Sequence, residues 1–353
     1  MQLTRFRSIV LGLTFALAAG TAVAQNYTLS FLPSDGNRFW APSDINNHAQ
    51  VVGTVGVTHL PVAVTWDATR SPAPASYLPT YEDCCAIPTY GNAINDRGQV
   101  AGEDTSRAVL WNGNTRPTLL AGEFGSSTAW GLNESGAVVG SFSGQATLWN
   151  AAGAHGLGTL GGSSSNAYAI NEAGTVVGTS VLAGESHAAL WQNGNATDLG
   201  RGIAYNLNDH GLIVGMADRR ATLWNGMQAT FLGGVGSVAS DVNNRGWVVG
   251  TVHEPVWDEP MTAMLWHDGQ SIDLNSFMSQ ADRDAGWRLV SANAINDHGW
   301  IVGSAVNVQG DSSTPFVLSI PAVPEPASLA LMGAGLAVFG AAARRRQRRS
   351  ATS

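Results

Sequence analysis

Three short acidic stretches, Glu82-Asp83, Asp258-Glu259 and Asp282 with Asp284, stand out in a 353-residue chain of which only 12% is charged. Paired carboxylates at the right separation hydrolyse glycosidic bonds, one as acid and one as base or nucleophile. Aromatic residues lie near each stretch: Tyr77, Tyr81 and Tyr90 around the first, Trp257 beside the second, Trp287 after the third. Aromatic rings stack on pyranose faces, so a carbohydrate is the substrate or ligand these residues suit. Acids adjacent in sequence are also ordinary solvated loop residues, and the pairs alone assign no catalysis.

Other chemistry finds no foothold. The chain has no His-Glu-x-x-His, no Gly-x-Ser-x-Gly, no phosphate-cradling glycine loop before a helix and no Asp-x-Asp-x-Asp-Gly loop. No metal site and no cofactor is expected. His48, His210 and His298 recur at one position of a repeat, and are therefore expected far apart. Cys84 and Cys85 are adjacent and are the only cysteines. A disulfide framework is excluded, leaving a vicinal disulfide, an intermolecular bridge or free thiols.

The elements that would position these residues repeat. Segments of the form Ile-Asn-x-x-Gly-x-Val-Val-Gly centre on Asn46, Asn95, Asn133, Asn171, Asn208, Asn243 and Asn296, with Ala49 replacing the first glycine in the first copy. Their closing glycines, Gly53, Gly102, Gly140, Gly178, Gly215, Gly250 and Gly303, lie 35 to 53 residues apart, near the period of a four-stranded blade. A strand ending in Ile-Asn turns through the Asx and glycine residues and returns as Val-Val-Gly. A second element, Ala-x-x-Trp, ends at Trp66, Trp111, Trp149, Trp191, Trp224 and Trp266, and Pro315-Phe316-Val317-Leu318 fills the seventh slot. Tryptophans recurring at one repeat position are expected in the packing between units. Asn112-Gly113, Asn193-Gly194, Asn225-Gly226 and Asp268-Gly269 then turn into a fourth strand.

The seventh unit lacks its fourth strand, whereas Tyr27–Leu32 reads as a strand without a unit. Joining them closes the array and removes its open edges. The expected fold is all-β: a seven-bladed β-propeller of four-stranded antiparallel blades over residues 25–320, its last blade completed by the N-terminal strand.

Three insertions, Asp67–Asn92, Thr251–Thr262 and Asn275–Ser291, then emerge on the face opposite the Asn-Gly turns. They carry Tyr81, Tyr90, Trp257, Asp258, Glu259, Asp282, Asp284 and Trp287, the candidate ligand surface. Binding is the leading expectation; a carbohydrate-active enzyme using the loop acids and a purely structural surface component are the alternatives.

The termini concern export. Arg5 and Arg7, an apolar run and Ala22-Val23-Ala24 make residues 1–24 a cleavable signal peptide, expected as a helix. At the other end Val323-Pro324-Glu325-Pro326 precedes an apolar stretch, Ala327–Ala343, and the arginines Arg344, Arg345, Arg346, Arg348 and Arg349. The stretch reaches about 25 Å as a helix, a minimal membrane span, with the arginines kept cytoplasmic. All eighteen basic residues are arginine; removing these seven leaves eleven against 26 acids, which argues against a nucleic-acid partner.

The tail, residues 321–353, resembles the PEP-CTERM sorting signal of Gram-negative bacteria. That resemblance implies an exosortase-like partner that cuts the tail and passes the protein from the membrane to the cell surface or exopolysaccharide matrix. An uncut C-terminal anchor is the alternative. The repeat is also similar to the extracellular HAF repeat, most closely over Leu157-Gly158-Thr159-Leu160-Gly161-Gly162, Ala169-Ile170-Asn171, Val176-Val177-Gly178 and His187-Ala188, with Ala189 where phenylalanine is expected. That family implies architecture and no particular activity.

Overall fold

The computed structural model describes residues 27–32, 40–57, 60–70, 74–82, 87–122, 125–253, 261–310 and 312–320. The expected signal peptide, Cys84 and Cys85, Trp257, Asp258 and Glu259, and the whole tail from 321 lie outside the described residues. Among the described residues no helix is long and apolar enough to cross a membrane.

The described chain is all-β and antiparallel, with one 3-10 turn (Leu274–Phe277) and one short α-helix (Gln280–Asp284) as the exceptions. Five sheets have four strands and a sixth has seven. The long sheet is two repeat units in one, because the strand Asn195–Leu207 runs unbroken from the fourth strand of the fourth unit into the first of the fifth. Gly200 and Gly202, both at positive φ, bend the chain there without ending the strand, so no loop separates these two units.

Within each unit the asparagine turn is built as the residue types dictate. The glycine three residues after the asparagine has positive φ and donates its N–H to the asparagine carbonyl, as Gly98 does to Asn95 at 3.0 Å. Ala49, in the one copy lacking that glycine, is held at φ 57°, a left-handed conformation that costs a residue with a Cβ about 1 kcal/mol or more.

The first strand of every unit carries a β-bulge at one position. The register shifts at Ser43, Asn92, Trp130, Tyr168, Tyr205, Ser240 and Asn293, each three residues before the repeated asparagine. Opposite the bulge lies the closing glycine of Val-Val-Gly. A Cβ on Gly140, Gly178 or Gly215 would run into the carbonyl oxygen of Thr128, Asn166 or Ile203 on the bulged strand. The repeated glycine is thus a consequence of the bulge, which leaves no room for a side chain across from it.

The repeated tryptophans fill the spaces between units. Trp111 and Trp224 are fully buried, and Trp66, Trp149, Trp191 and Trp266 are 4% exposed or less. Each packs on small residues of the preceding unit: Trp111 with Val52 and Ala63, Trp149 with Ala101 and Ala108, Trp191 with Val139 and Ala146, Trp224 with Val177 and Ala188, Trp266 with Val214 and Ala221. Phe316 does the same in the seventh unit against Val249 and Ala263. Trp66 of the first unit shares its cluster with Ala294, Val302 and Val317 of the seventh.

The N-terminal strand, Thr28–Phe31, pairs antiparallel with Ser312–Ser319, placing Leu29 opposite Leu318 and Phe31 opposite Phe316. The seventh unit thereby gains its fourth strand from the other end of the chain.

Candidate functional site

The seven repeated asparagines do more than shape turns. Each is 4 to 6% exposed and donates its side-chain N–H to the carbonyl oxygen of the next unit's asparagine. The series runs Asn46 to Asn95 (2.9 Å), Asn95 to Asn133 (3.1 Å), Asn133 to Asn171 (3.2 Å), Asn171 to Asn208 (3.2 Å), Asn208 to Asn243 (2.9 Å) and Asn243 to Asn296 (3.0 Å). It returns from Asn296 to Asn46 at 2.8 Å. The side-chain oxygen meanwhile accepts N–H bonds from its own turn, as Asn208 does from His210 and Leu212. His48, His210 and His298 each donate a backbone N–H to the asparagine of their own turn, and their rings are exposed, each in a different unit, with only the His48 ring near a carboxylate, Asp96 at 3.8 Å, among the described residues.

A second series runs through the residues that follow. The backbone N–H of Asn47, Asp96, Glu134, Glu172, Asp209, Asn244 and Asp297 each donates to the side-chain oxygen of the corresponding residue in the next unit, at 2.5 to 3.0 Å. Turn preference explains an acid or amide at this position; the structure adds that the oxygen also holds the neighbouring unit.

These two series frame a cavity of about 680 Å³ lined by the first strands and turns of all seven units. That volume falls within the usual range for a small-molecule site. The bulges turn the residues at their position toward it, so Ser43, Asn92, Trp130, Tyr168, Tyr205, Ser240 and Asn293 all line the wall. The aromatic three occupy consecutive units and form one arc, Trp130 meeting Tyr168 edge-on at 6.1 Å and Tyr168 meeting Tyr205 at 6.0 Å. Trp130 remains 40% exposed. The other arc is polar. Asn92 and Asn293 donate across to Ala129 and Pro42 carbonyls, while the hydroxyls of Ser43 and Ser240 hold no hydrogen bond among the described residues.

Two carboxylates are built into the polar arc. Asp44 accepts from the N–H of Ile45 and, in the next unit, of Ile94; Asp241 accepts from Val242, Asn206 and, in the next unit, Ile295. Burial pushes Asp44 up to about 6 despite those bonds. Burial, and then the charge of Asp44, push Asp241 up to about 7. Tyr205 is also raised, by burial and then by Tyr168. None of the described lining residues is basic.

The loop residues singled out by sequence fall into two separate groups. Tyr81 lies under the guanidinium groups of Arg116 (4.2 Å) and Arg107 (5.2 Å), and its N–H donates to the buried Asp104. Tyr90 is exposed at the start of the second unit's first strand. Trp287 stacks on Phe31 at 5.0 Å and packs on the core of the seventh unit, so packing against the N-terminal strand accounts for it. Asp282 and Asp284 belong to the short helix, where Asp282 completes the N-terminal cap with Ser279 and Asp284 accepts from Gln280. Among the described residues no hydrogen bond, ion pair or ring contact joins the Tyr81 group to the Trp287 group.

Fold and C-terminal sequence together define a class: an all-β repeat protein of four-stranded antiparallel units with a sorting signal at its C-terminus. Residues 322–347 match the PEP-CTERM protein-sorting motif. The motif marks the chain for export and for processing by an exosortase system that delivers proteins to the cell surface. Curated proteins give no match to the chain.

Proposed function

We propose that the protein is a seven-bladed β-propeller, displayed at the cell surface, that binds exopolysaccharide or a related surface polymer without catalysis. The observation that carries this reading is the cavity walled by seven bulged strands, whose backbones are tied to one another by fourteen inter-unit hydrogen bonds. A rigid frame that presents variable side chains to one space is a binding architecture. The return of both series from the seventh unit to the first, the seam cluster around Trp66 and the shared last blade support a closed ring. The PEP-CTERM tail supports delivery to the surface, with the membrane as a partner before processing and the matrix after it. The repeats' similarity to HAF sequences fits the same extracellular setting.

Glycoside hydrolysis is the second reading, favoured by two cavity carboxylates with raised proton affinity, Asp44 and Asp241. Against it, both oxygens of each already hold backbone N–H groups, which makes them parts of the frame. The test is a glycan array and native matrix probed with the full chain, followed by assay for new reducing ends. Binding without new ends is expected. Cleavage that disappears in Asp241→Asn would establish the enzyme instead, and silence on array and matrix alike would end the binding reading.

A further inference from the structure

The cavity's lining has a charge that its architecture does not require. In the second inter-unit series any acceptor oxygen suffices: Asn47 receives the N–H of Asp297 at 2.9 Å and Asn244 that of Asp209 at 2.9 Å, each through a neutral amide. The other five positions carry carboxylates, Asp96, Glu134, Glu172, Asp209 and Asp297. Glu134 and Glu172 spend only one oxygen on the neighbouring backbone, and the second has no hydrogen-bond partner among the described residues. With Asp44 and Asp241 the lining holds, among the described residues, seven carboxyl groups and no base. Such a space repels anions and concentrates cations.

The charge coincides with the aromatic arc. Trp130 and Glu134 belong to the third unit, Tyr168 and Glu172 to the fourth, Tyr205 and Asp209 to the fifth, each acid four residues beyond its ring. Aromatic faces bind the C–H side of a pyranose and attract cations, while carboxylates accept from an ammonium group. The opposite wall offers the amides of Asn92 and Asn293 and the hydroxyls of Ser43 and Ser240 to sugar hydroxyls.

We propose that the cavity binds an amino sugar with a free, protonated amine. Its ring lies on Trp130, Tyr168 and Tyr205 and its ammonium sits among Glu134, Glu172 and Asp209. The proposal rests on the reading that this protein binds a surface polysaccharide, and it specifies a deacetylated hexosamine unit within that polymer. A uronic acid is excluded by charge. N-acetylation would remove the cation that these carboxylates are there to meet.

The test is calorimetric titration of the full chain with glucosamine oligomers, the matching N-acetylglucosamine oligomers and neutral glucose oligomers, at low and high salt, alongside native matrix. Only the amine-bearing oligomer is expected to bind, less tightly at high salt. Glu172→Gln keeps the oxygen that holds the Glu134 N–H, so thermal melting should stay unchanged while affinity falls about tenfold, the scale of one charge-assisted contact. Trp130→Ala, at a partly exposed site, should weaken binding by a similar factor. Equal binding of the acetylated or neutral oligomer would overturn the amine assignment and leave polysaccharide binding standing. Matrix binding indifferent to both Trp130→Ala and Glu172→Gln would overturn the cavity as the site. No binding to any oligomer or to matrix would overturn this proposal and the functional reading together.

Discussion

Asn208→Asp separates two accounts of the repeated asparagine. If asparagine served only to shape its turn, aspartate would replace it at little cost, since its carboxylate can accept the N–H groups of His210 and Leu212, now 3.0 and 2.9 Å from the side-chain oxygen. The donor to the Asn243 carbonyl, at 2.9 Å, would be lost. A carboxylate oxygen would then face a carbonyl oxygen at a site 4% exposed. Losing one buried bond costs about 1 kcal/mol, and leaving the carbonyl unsatisfied adds about 1–3 kcal/mol. Burying the new charge adds more, until the group protonates instead. The expected loss at pH 8 is therefore at least about 2–4 kcal/mol, a large part of the stability of an ordinary domain. The protonated acid regains a donor, so its folded-state pKa lies above its unfolded value and the penalty shrinks as pH falls through it. Urea unfolding at pH 8 and pH 5 reads both effects, with Asn195→Asp, at the exposed first residue of the strand Asn195–Leu207, as control, expected within about 0.5 kcal/mol of wild type. A loss at Asn208 no larger than the control's, and unchanged with pH, would refute the inter-unit bond as a source of stability.

The natural carboxylates give a second pH test. Asp241, held at about 7 against an ordinary 3.8, binds a proton in the folded protein over a range where the unfolded chain has released it. Its contribution is thus most favourable below pH 4, is lost as pH rises through about 7, and totals on the order of 4 kcal/mol; Asp44, at about 6, adds a smaller change of the same sign. Asp241→Asn should flatten the dependence of urea midpoints on pH between 4 and 8. Deleting residues 25–32 removes the strand paired with Ser312–Ser319 and exposes an edge, so light scattering should show self-association that a peptide of residues 27–32 reverses. Gly178→Ala, whose Cβ would meet the Asn166 carbonyl, should cost about 2–4 kcal/mol in denaturant unfolding, against about 1 kcal/mol for Gly113→Ala in open space at positive φ. Trp287→Ala, which removes the ring stacked on Phe31, should lower stability by about 3 kcal/mol and leave polymer binding unchanged.

Much of the architecture was legible because its residues answer to local demands. A glycine at positive φ after an asparagine, a tryptophan too large for any place but the gap between units, and an unpaired strand at each end of the array are visible without coordinates. Ala49 shows the limit of that logic, since the turn tolerates its Cβ where the pattern asks for glycine. The joined fourth and fifth units were not legible, because nothing in the residue types at Gly200 and Gly202 tells a strand that bends from one that ends. The asparagine was only half read. Its turn role is local, whereas its donor reaches a residue 35 to 53 positions away, or 250 across the seam, which no pattern of neighbours encodes.

The cavity was hidden for a related reason. In an alternating strand, residue parity assigns a side chain to a face, and by parity Trp130, Tyr168 and Tyr205 are three unrelated aromatics. A bulge inserts one residue and re-aims it, so parity fails at the positions that line the wall. One trace of this was present in the sequence. The closing glycine recurs in all seven units in a strand otherwise rich in valine, and a glycine inside a strand marks a close backbone approach. From that glycine the bulge follows on the paired strand, and from the bulge a column of seven side chains at one height. Those side chains are Ser, Asn, Trp, Tyr, Tyr, Ser and Asn, whereas the asparagine three residues further on is the same in all seven units. Because the asparagine and acceptor-oxygen bonds hold the backbone whatever the bulge residue is, that residue is free to be chosen for what it touches. The frame is therefore where repetition is required, and the bulge is where the side chain is free to vary.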